Sequence, residues 1–124
     1  MEITRGMIIW ADTPKIESGS IQTGIRPYLI ISNDMCNKYS SVLTGIPITS
    51  SRSKMEKSIP THVKFMFKKE SVILCEQITS INRLWIKNHE RNLERIKVSE
   101  DILKEVEKCL RVQIGIDKQK QSMI

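Results

Sequence analysis

The chain has 124 residues, 40% of them hydrophobic and 27% charged, with a net charge of +6. That length and balance fit one domain with its own apolar core, and they exclude a disordered chain or a small disulfide-stapled scaffold. The positive charge favours a polyanionic partner (nucleic acid, an acidic protein or an anionic surface), and no apolar run approaches the roughly 20 residues of a membrane span.

The first residues, Met1-Glu2-Ile3-Thr4-Arg5, lack the apolar core and cleavage site of a signal peptide, so the expected location is the cytoplasm, with no membrane association. Gly6 to Trp10 reads as a short strand ended by Asp12-Thr13-Pro14, and a long polar loop follows to Arg26. In that loop, Gly19 and Gly24 relieve the backbone, and Pro27 pushes Arg26 toward an extended conformation at the mouth of the next strand. An arginine presented in this way suits capture of a phosphate or carboxylate. A solvated arginine at a strand start is the plainer alternative.

Tyr28 to Ser32 is a compact apolar run, as expected of a strand buried on both faces. Asn33 to Lys38 reads as a turn or a single helical turn. Ser41 to Thr49 reads as an irregular or edge strand, because Gly45 and Pro47 interrupt it. Thr49-Ser50-Ser51 then opens a basic loop, Ser50 to Pro60, that carries Arg52, Lys54 and Lys57. Hydroxyls there can donate to phosphate oxygens or serve in an ordinary turn.

His62 to Phe67 alternates as a strand with Val63, Phe65 and Phe67 on one face, and Ser71 to Ile78 is a further apolar strand ending in Glu76-Gln77. Glu76 suits either an ion pair with an arginine or a role as a base. His62 reads as structural, and His89 falls in a charged, solvated segment. Trp10 and Trp85 are core or interface residues that can also stack on bases. From Ser80 to Lys97 the pattern is weak, with a turn and a strand near Leu84 to Ile86.

The chain closes with a helix capped by Ser99, with Glu100 and Asp101 in its first turn. Ile102, Leu103, Val106, Cys109, Leu110 and Ile114 form its apolar stripe, and residues 117–124 make a frayed polar tail. Cys36, Cys75 and Cys109 are odd in number and widely spaced, which fits neither a disulfide framework nor a zinc site. No metal or cofactor motif is present. Several short strands and one late helix predict an α+β fold: a small barrel spanning 1–116 with the helix packed on it.

Five segments taken in order resemble the MazF/PemK family of toxin ribonucleases. They are Arg5-Gly6-Met7-Ile8-Ile9-Trp10-Ala11-Asp12, Gly24 to Asp34, Ile46-Pro47-Ile48-Thr49-Ser50, Pro60-Thr61-His62-Val63, and Ser71 to Ile78. The resemblance implies an SH3-like barrel homodimer that cleaves single-stranded RNA without a metal or cofactor. It implies attack of the ribose 2′-OH on phosphorus, leaving a 2′,3′-cyclic phosphate and a 5′-hydroxyl. It also implies an acidic antitoxin as partner, with operator DNA reached only through that antitoxin.

Arg26 matches the family's catalytic arginine and Thr49 its catalytic threonine, with Glu76 a lesser candidate for base or for holding Arg26. Ser20, Gln22, Ser50, Ser51, Arg52, Lys54, Lys57 and Gln77 are the candidate RNA contacts. The chain departs from the family at Met7, Ile21 and Thr23. It lacks the PemK branch's loop histidine, having Ser20 there, and the arginine that branch places where Leu74 stands. The Arg26/Thr49 pair of the MazF branch is therefore the expected set. A gyrase poison on the same barrel and a nucleic-acid-binding barrel without activity are the alternative functions.

Overall fold

A computed structural model describes residues 2–15, 19, 21–51, 61–86 and 90–118. The strands are β1 (Ile8–Thr13), β2 (Gly24–Ile30), β3 (Val42–Thr49), β4 (His62–Phe67), β5 (Lys69–Leu74) and β6 (Thr79–Asn82), and the helices are α1 (Asp34–Tyr39) and α2 (Glu100–Gln113). Short 3-10 turns cover Cys75–Gln77, Arg83–Trp85 and Glu90–Glu94. All ladders are antiparallel, in the order β1-β2-β3-β5-β4, with β6 added to β3. The architecture is α+β, a curled sheet with a C-terminal helix; the strand path ends at β1 and β4.

Consecutive side chains in a strand point to opposite faces, and here both faces are covered. Ile9, Tyr28, Ile30, Leu43 and Ile81 pack in one apolar cluster, against which Trp85 and Ile86 lie. Their neighbours Ile8, Leu29, Ile46, Ile48, Val63 and Ile73 pack in a second, closed by α2 through Val106, Ile102, Cys109 and Leu110. Leu29, Ile30, Leu43, Ile46 and Ile73 are completely buried. The helix starts where expected, since the Ser99 hydroxyl accepts from the Ile102 amide at 3.3 Å. It ends at Gly115, whose φ of +79° lets the Ile116 amide reach back to the Arg111 carbonyl. No helix among the described residues is long and apolar enough to cross a membrane.

Several expectations need correction. Arg26 is not delivered by a loop to a strand mouth: it lies inside β2, opposite Ala11. β1 likewise runs through Asp12 and Thr13, because the Thr13 hydroxyl bonds the Tyr28 hydroxyl at 3.0 Å and Thr13 pairs with Gly24. β3 is central rather than an edge, pairing with β2, β6 and β5. Gly45 permits this, since a Cβ there would lie 2.4 Å from Ile81 Cδ1. Glu76 and Gln77 lie on a 3-10 turn after β5, and the weak segment holds β6 over Thr79–Asn82, earlier than the strand expected near Leu84. Ile114 is 60% exposed and is not part of the core stripe. Asp117, where the frayed tail was expected to begin, is held by the Arg111 guanidinium at 2.8 and 3.0 Å.

One buried amide secures the outer edge of β1. Asn92 is 3% exposed; its oxygen accepts from the Trp10 amide at 2.7 Å and its nitrogen donates to the Trp10 carbonyl at 3.2 Å. Both Trp10 backbone groups therefore point away from β2. The facing Pro27 nitrogen points away from β1 too, toward a gap where β3 has left β2, so its missing N–H costs no ladder bond. Replacing Asn92 by Ala should cost about 1–3 kcal/mol in urea unfolding, because two part-buried backbone groups lose their bonds to a buried amide. A midpoint unchanged from wild type would show that the clamp is dispensable.

Candidate functional site

The β2–β3 ladder runs Ile30–Gly45, Leu29–Ile46, Tyr28–Pro47 and then stops, because Ile48 and Thr49 turn to pair with β5. Continued by two residues, the same register sets Arg26 opposite Thr49 on one face of the sheet. The divergence of the two strands leaves a gap between these residues.

Arg26 is half-buried and bonded to neutral acceptors only. Its Nε donates to the Thr23 carbonyl at 3.0 Å, and its Nη1 donates to the Gln22 side-chain oxygen. The Gln22 amide in turn donates to Gln77 Oε1 at 2.8 Å, tying the start of β2 to the turn after β5. Among the described residues no carboxylate forms an ion pair with Arg26. The guanidinium is thus positioned while its charge stays uncompensated, an arrangement suited to an anion.

Thr49 has the complementary property. Its hydroxyl oxygen accepts from the Ser51 amide at 3.1 Å, which leaves the hydroxyl proton for another acceptor. Two clefts adjoin the fork: Gln22 and Thr23, which hold Arg26, line one, and Thr49 lines the other. One, of about 240 Å³, includes Gln22, Gln77, Thr79, Ser80 and Trp85 in its lining. The other, of about 300 Å³, includes Thr49, Ser50, Trp10, Pro27, Phe67 and Lys69. Tyr28 borders the first; burial pushes its phenol above the ordinary value, the Thr13 bond opposing this, so the group remains protonated.

Glu76 is placed differently from the sequence expectation. It does not hold Arg26: its Oε2 meets His62 Nε2 at 2.7 Å, with the His62 side chain 2% exposed and Glu76 29%. His62, read as structural, owes its position to this pair at the start of β4. Gln22, Gln77, Ser50 and Ser51 lie at or beside the clefts, whereas Ser20, Arg52, Lys54, Lys57 and His89 lie outside the described residues. Burial raises the Cys75 and Cys109 thiols above their ordinary range, which makes both poor nucleophiles. Among the described residues no group of three or more His, Cys, Asp or Glu side chains is arranged to hold a metal.

Sequence reasoning missed that Gln22 braces Arg26 and that Phe67 and Lys69 form a cleft with Trp10. The alternation of β4 carries the signal for Phe67; the tight Phe67-Lys68-Lys69 hairpin that aligns Lys69 with it has no glycine to announce it.

A sequence profile of the PemK-like, MazF-like toxins of type II toxin–antitoxin systems matches residues 4–114. The chain is 37% identical over 121 residues to the endoribonuclease MazF of Staphylococcus epidermidis, covering 93% of each chain. Its fold matches that of MazF from Deinococcus radiodurans with a TM-score of 0.70 at 23% identity, over 93% of this chain and 98% of the other. A mycobacterial endoribonuclease in complex with its cognate antitoxin matches equally well, with a TM-score of 0.70 at 17% identity, over 94% of this chain and 99% of the other.

The pairing of Glu76 with buried His62 predicts a stability phenotype. Glu76→Ala should lose about 1–3 kcal/mol in urea unfolding, because His62 is left without its acceptor, while Glu76→Gln should retain most of the stability. A Glu76→Ala protein as stable as wild type would contradict a structural role for the pair.

Proposed function

The chain belongs to the PemK-like, MazF-like toxins of type II toxin–antitoxin systems and is a toxin endoribonuclease; from this we propose that it cleaves single-stranded RNA in the gap between Arg26 and Thr49. The observation that carries the assignment is the braced, charge-uncompensated guanidinium of Arg26 across from a threonine whose hydroxyl proton is available.

In this reading the scissile phosphate enters the gap and the Arg26 fork turns from its two neutral acceptors onto the phosphoryl oxygens. The exchange is favourable because a charge-assisted bond to phosphate is stronger than one to an amide or carbonyl oxygen. Thr49 donates to the same group. The neighbouring 2′-OH attacks phosphorus, the P–O5′ bond breaks, and the products are a 2′,3′-cyclic phosphate and a 5′-hydroxyl. Arg26 stabilises the negative charge that builds on phosphorus-bound oxygen, the largest contribution a fixed cation makes. It is not the proton carrier, because a guanidinium holds its proton throughout the accessible pH range.

Gln22 and Gln77 offer amide groups to a base in the adjoining cleft, and Ser50 and Ser51 offer hydroxyls at the phosphate. Glu76 supports the site indirectly, by fixing His62 and the turn that carries Gln77. The reading requires no metal or cofactor. It extends to an acidic antitoxin segment as partner, which the net charge of +6 favours. It further treats the chain as a homodimer acting in the cytoplasm, with residues 1–116 as the functional unit.

Arg26→Ala should reduce cleavage of single-stranded RNA in EDTA by about 10²–10³-fold without unfolding the protein, consistent with loss of one charge-stabilising group. The measurement is the rate of appearance of 5′-hydroxyl fragments, with circular dichroism as the check on folding. Undiminished cutting by a folded Arg26→Ala protein would overturn the assignment.

A further inference from the structure

The cleft on the Thr49 side is assembled from two strand pairs that face each other. Trp10 and Pro27 are register partners across β1 and β2, so they share a face of the sheet. Phe67 and Lys69 are register partners across β4 and β5 and likewise share a face. All four line one cleft of about 300 Å³, with Ile48, Thr49 and Ser50 of the β3 end between the two pairs. The result is a slot with two aromatic walls, a lysine at its rim and the site threonine beside it.

The hairpin that presents Lys69 is strained. Lys68 has φ = +59°, in the left-handed region that a side chain with a Cβ enters at a cost. It forms the single-residue connection between Phe67 and Lys69. Lys68 is bonded through Nζ to Glu94 at 2.9 Å, which holds the tip of the hairpin against the turn that also clamps Trp10. Lys69 is different: it is exposed and has no ion-pair partner among the described residues. The strain thus sets a free ammonium beside an aromatic ring, while its neighbour's charge is neutralised.

Aromatic walls with one unpaired lysine match a nucleotide of single-stranded RNA, whose base offers a π-face and whose phosphate offers a negative charge. We infer that this slot holds a nucleotide flanking the scissile phosphate, with its base against Phe67 and Trp10 and its phosphate on Lys69. The inference rests on the RNA-cleaving reading of Arg26 and Thr49 and adds a division of labour to it. The Gln22/Gln77 cleft offers hydrogen-bonding groups that can tell bases apart. The Phe67/Lys69 slot offers stacking and charge, which every nucleotide satisfies. Lys69 and Phe67 are positioning residues for affinity and do not choose the cleavage sequence.

The test uses the full chain with Lys69→Gln, Lys69→Arg and Phe67→Leu. Binding of a single-stranded oligoribonucleotide whose 2′-hydroxyls are methylated, and which therefore cannot be cut, is measured by fluorescence anisotropy in EDTA across a salt series, and cleavage ends are mapped on a mixed RNA pool. Lys69→Gln should weaken binding about tenfold and flatten the slope of log K against log salt by about 0.7, the value for one phosphate contact on a single strand. Lys69→Arg should restore both, and Phe67→Leu should weaken binding about tenfold with the slope unchanged. The mapped cleavage sequence should be the same in every variant that cuts. Wild-type affinity and salt slope in Lys69→Gln, or a changed cleavage sequence in either Lys69→Gln or Phe67→Leu, would overturn the inference. Because binding is read separately from cutting, an RNA-binding protein that leaves RNA intact would overturn the cleavage reading alone.

Discussion

The site depends on one event in the sheet: β3 leaves β2 at the Tyr28–Pro47 pair and joins β5. Up to that point the two strands are zipped and their side chains are buried. Beyond it the backbone of β2 no longer has β3 as a neighbour, and the next residues on the same face are Arg26 and Thr49. A polar pair can occupy this place because the ladder has ended there. The same divergence explains how β2 carries Pro27 in its interior: the nitrogen that lacks a hydrogen points into the gap. Ile48, the first residue of β3 to pair with β5, is anchored in the second core cluster with Ile73, so the fork is fixed by apolar packing on its far side.

From this fork the polar architecture follows as a series of short tethers. Gln77 accepts from the Gln22 amide, Gln22 accepts from Arg26, and Thr23 accepts from it as well. Glu76, next to Gln77, is tied to the start of β4 through buried His62. A guanidinium with several rotatable bonds is thereby confined before any ligand arrives, which lowers the entropic cost of placing it on a phosphate. None of the tethers neutralises it. This combination of confinement and free charge distinguishes Arg26 from Arg111, which is paired with Asp117 through two bonds, and from Arg5, which is paired with Glu107.

Much of this was legible in the sequence, and for identifiable reasons. The β4 strand was readable because Val63, Phe65 and Phe67 fall at every second position, with His62, Lys64 and the exposed Met66 between them. The last helix was readable because Ser99 caps it and its apolar residues recur at helical spacing. The core strands were found, but their extents were not, since Gly24, Pro27, Gly45 and Pro47 suggest loops and edges to any local rule. Those residues sit in strands because distant neighbours make it possible: Asn92 bonds the far edge of β1, and Ile81 packs where Gly45 leaves room. In the sequence, Arg26 and Thr49 stand out only through the resemblance to a family; their opposition across the β2–β3 fork needed the register. Glu76 shows the limit from the other side, because a carboxylate at the end of an apolar strand does not reveal whether its partner is an arginine or a buried histidine.

If Arg26 and Thr49 act on one phosphoryl group, their effects on catalysis cannot be independent. The direct measurement is a double-mutant cycle on kcat/KM for RNA cleavage, with Arg26→Ala, Thr49→Ala and the combined variant. The account predicts that the double variant is little worse than Arg26→Ala alone, with a coupling energy of about 1 kcal/mol or more. Effects that simply add would place the two residues at separate tasks and contradict a shared phosphate site at the fork.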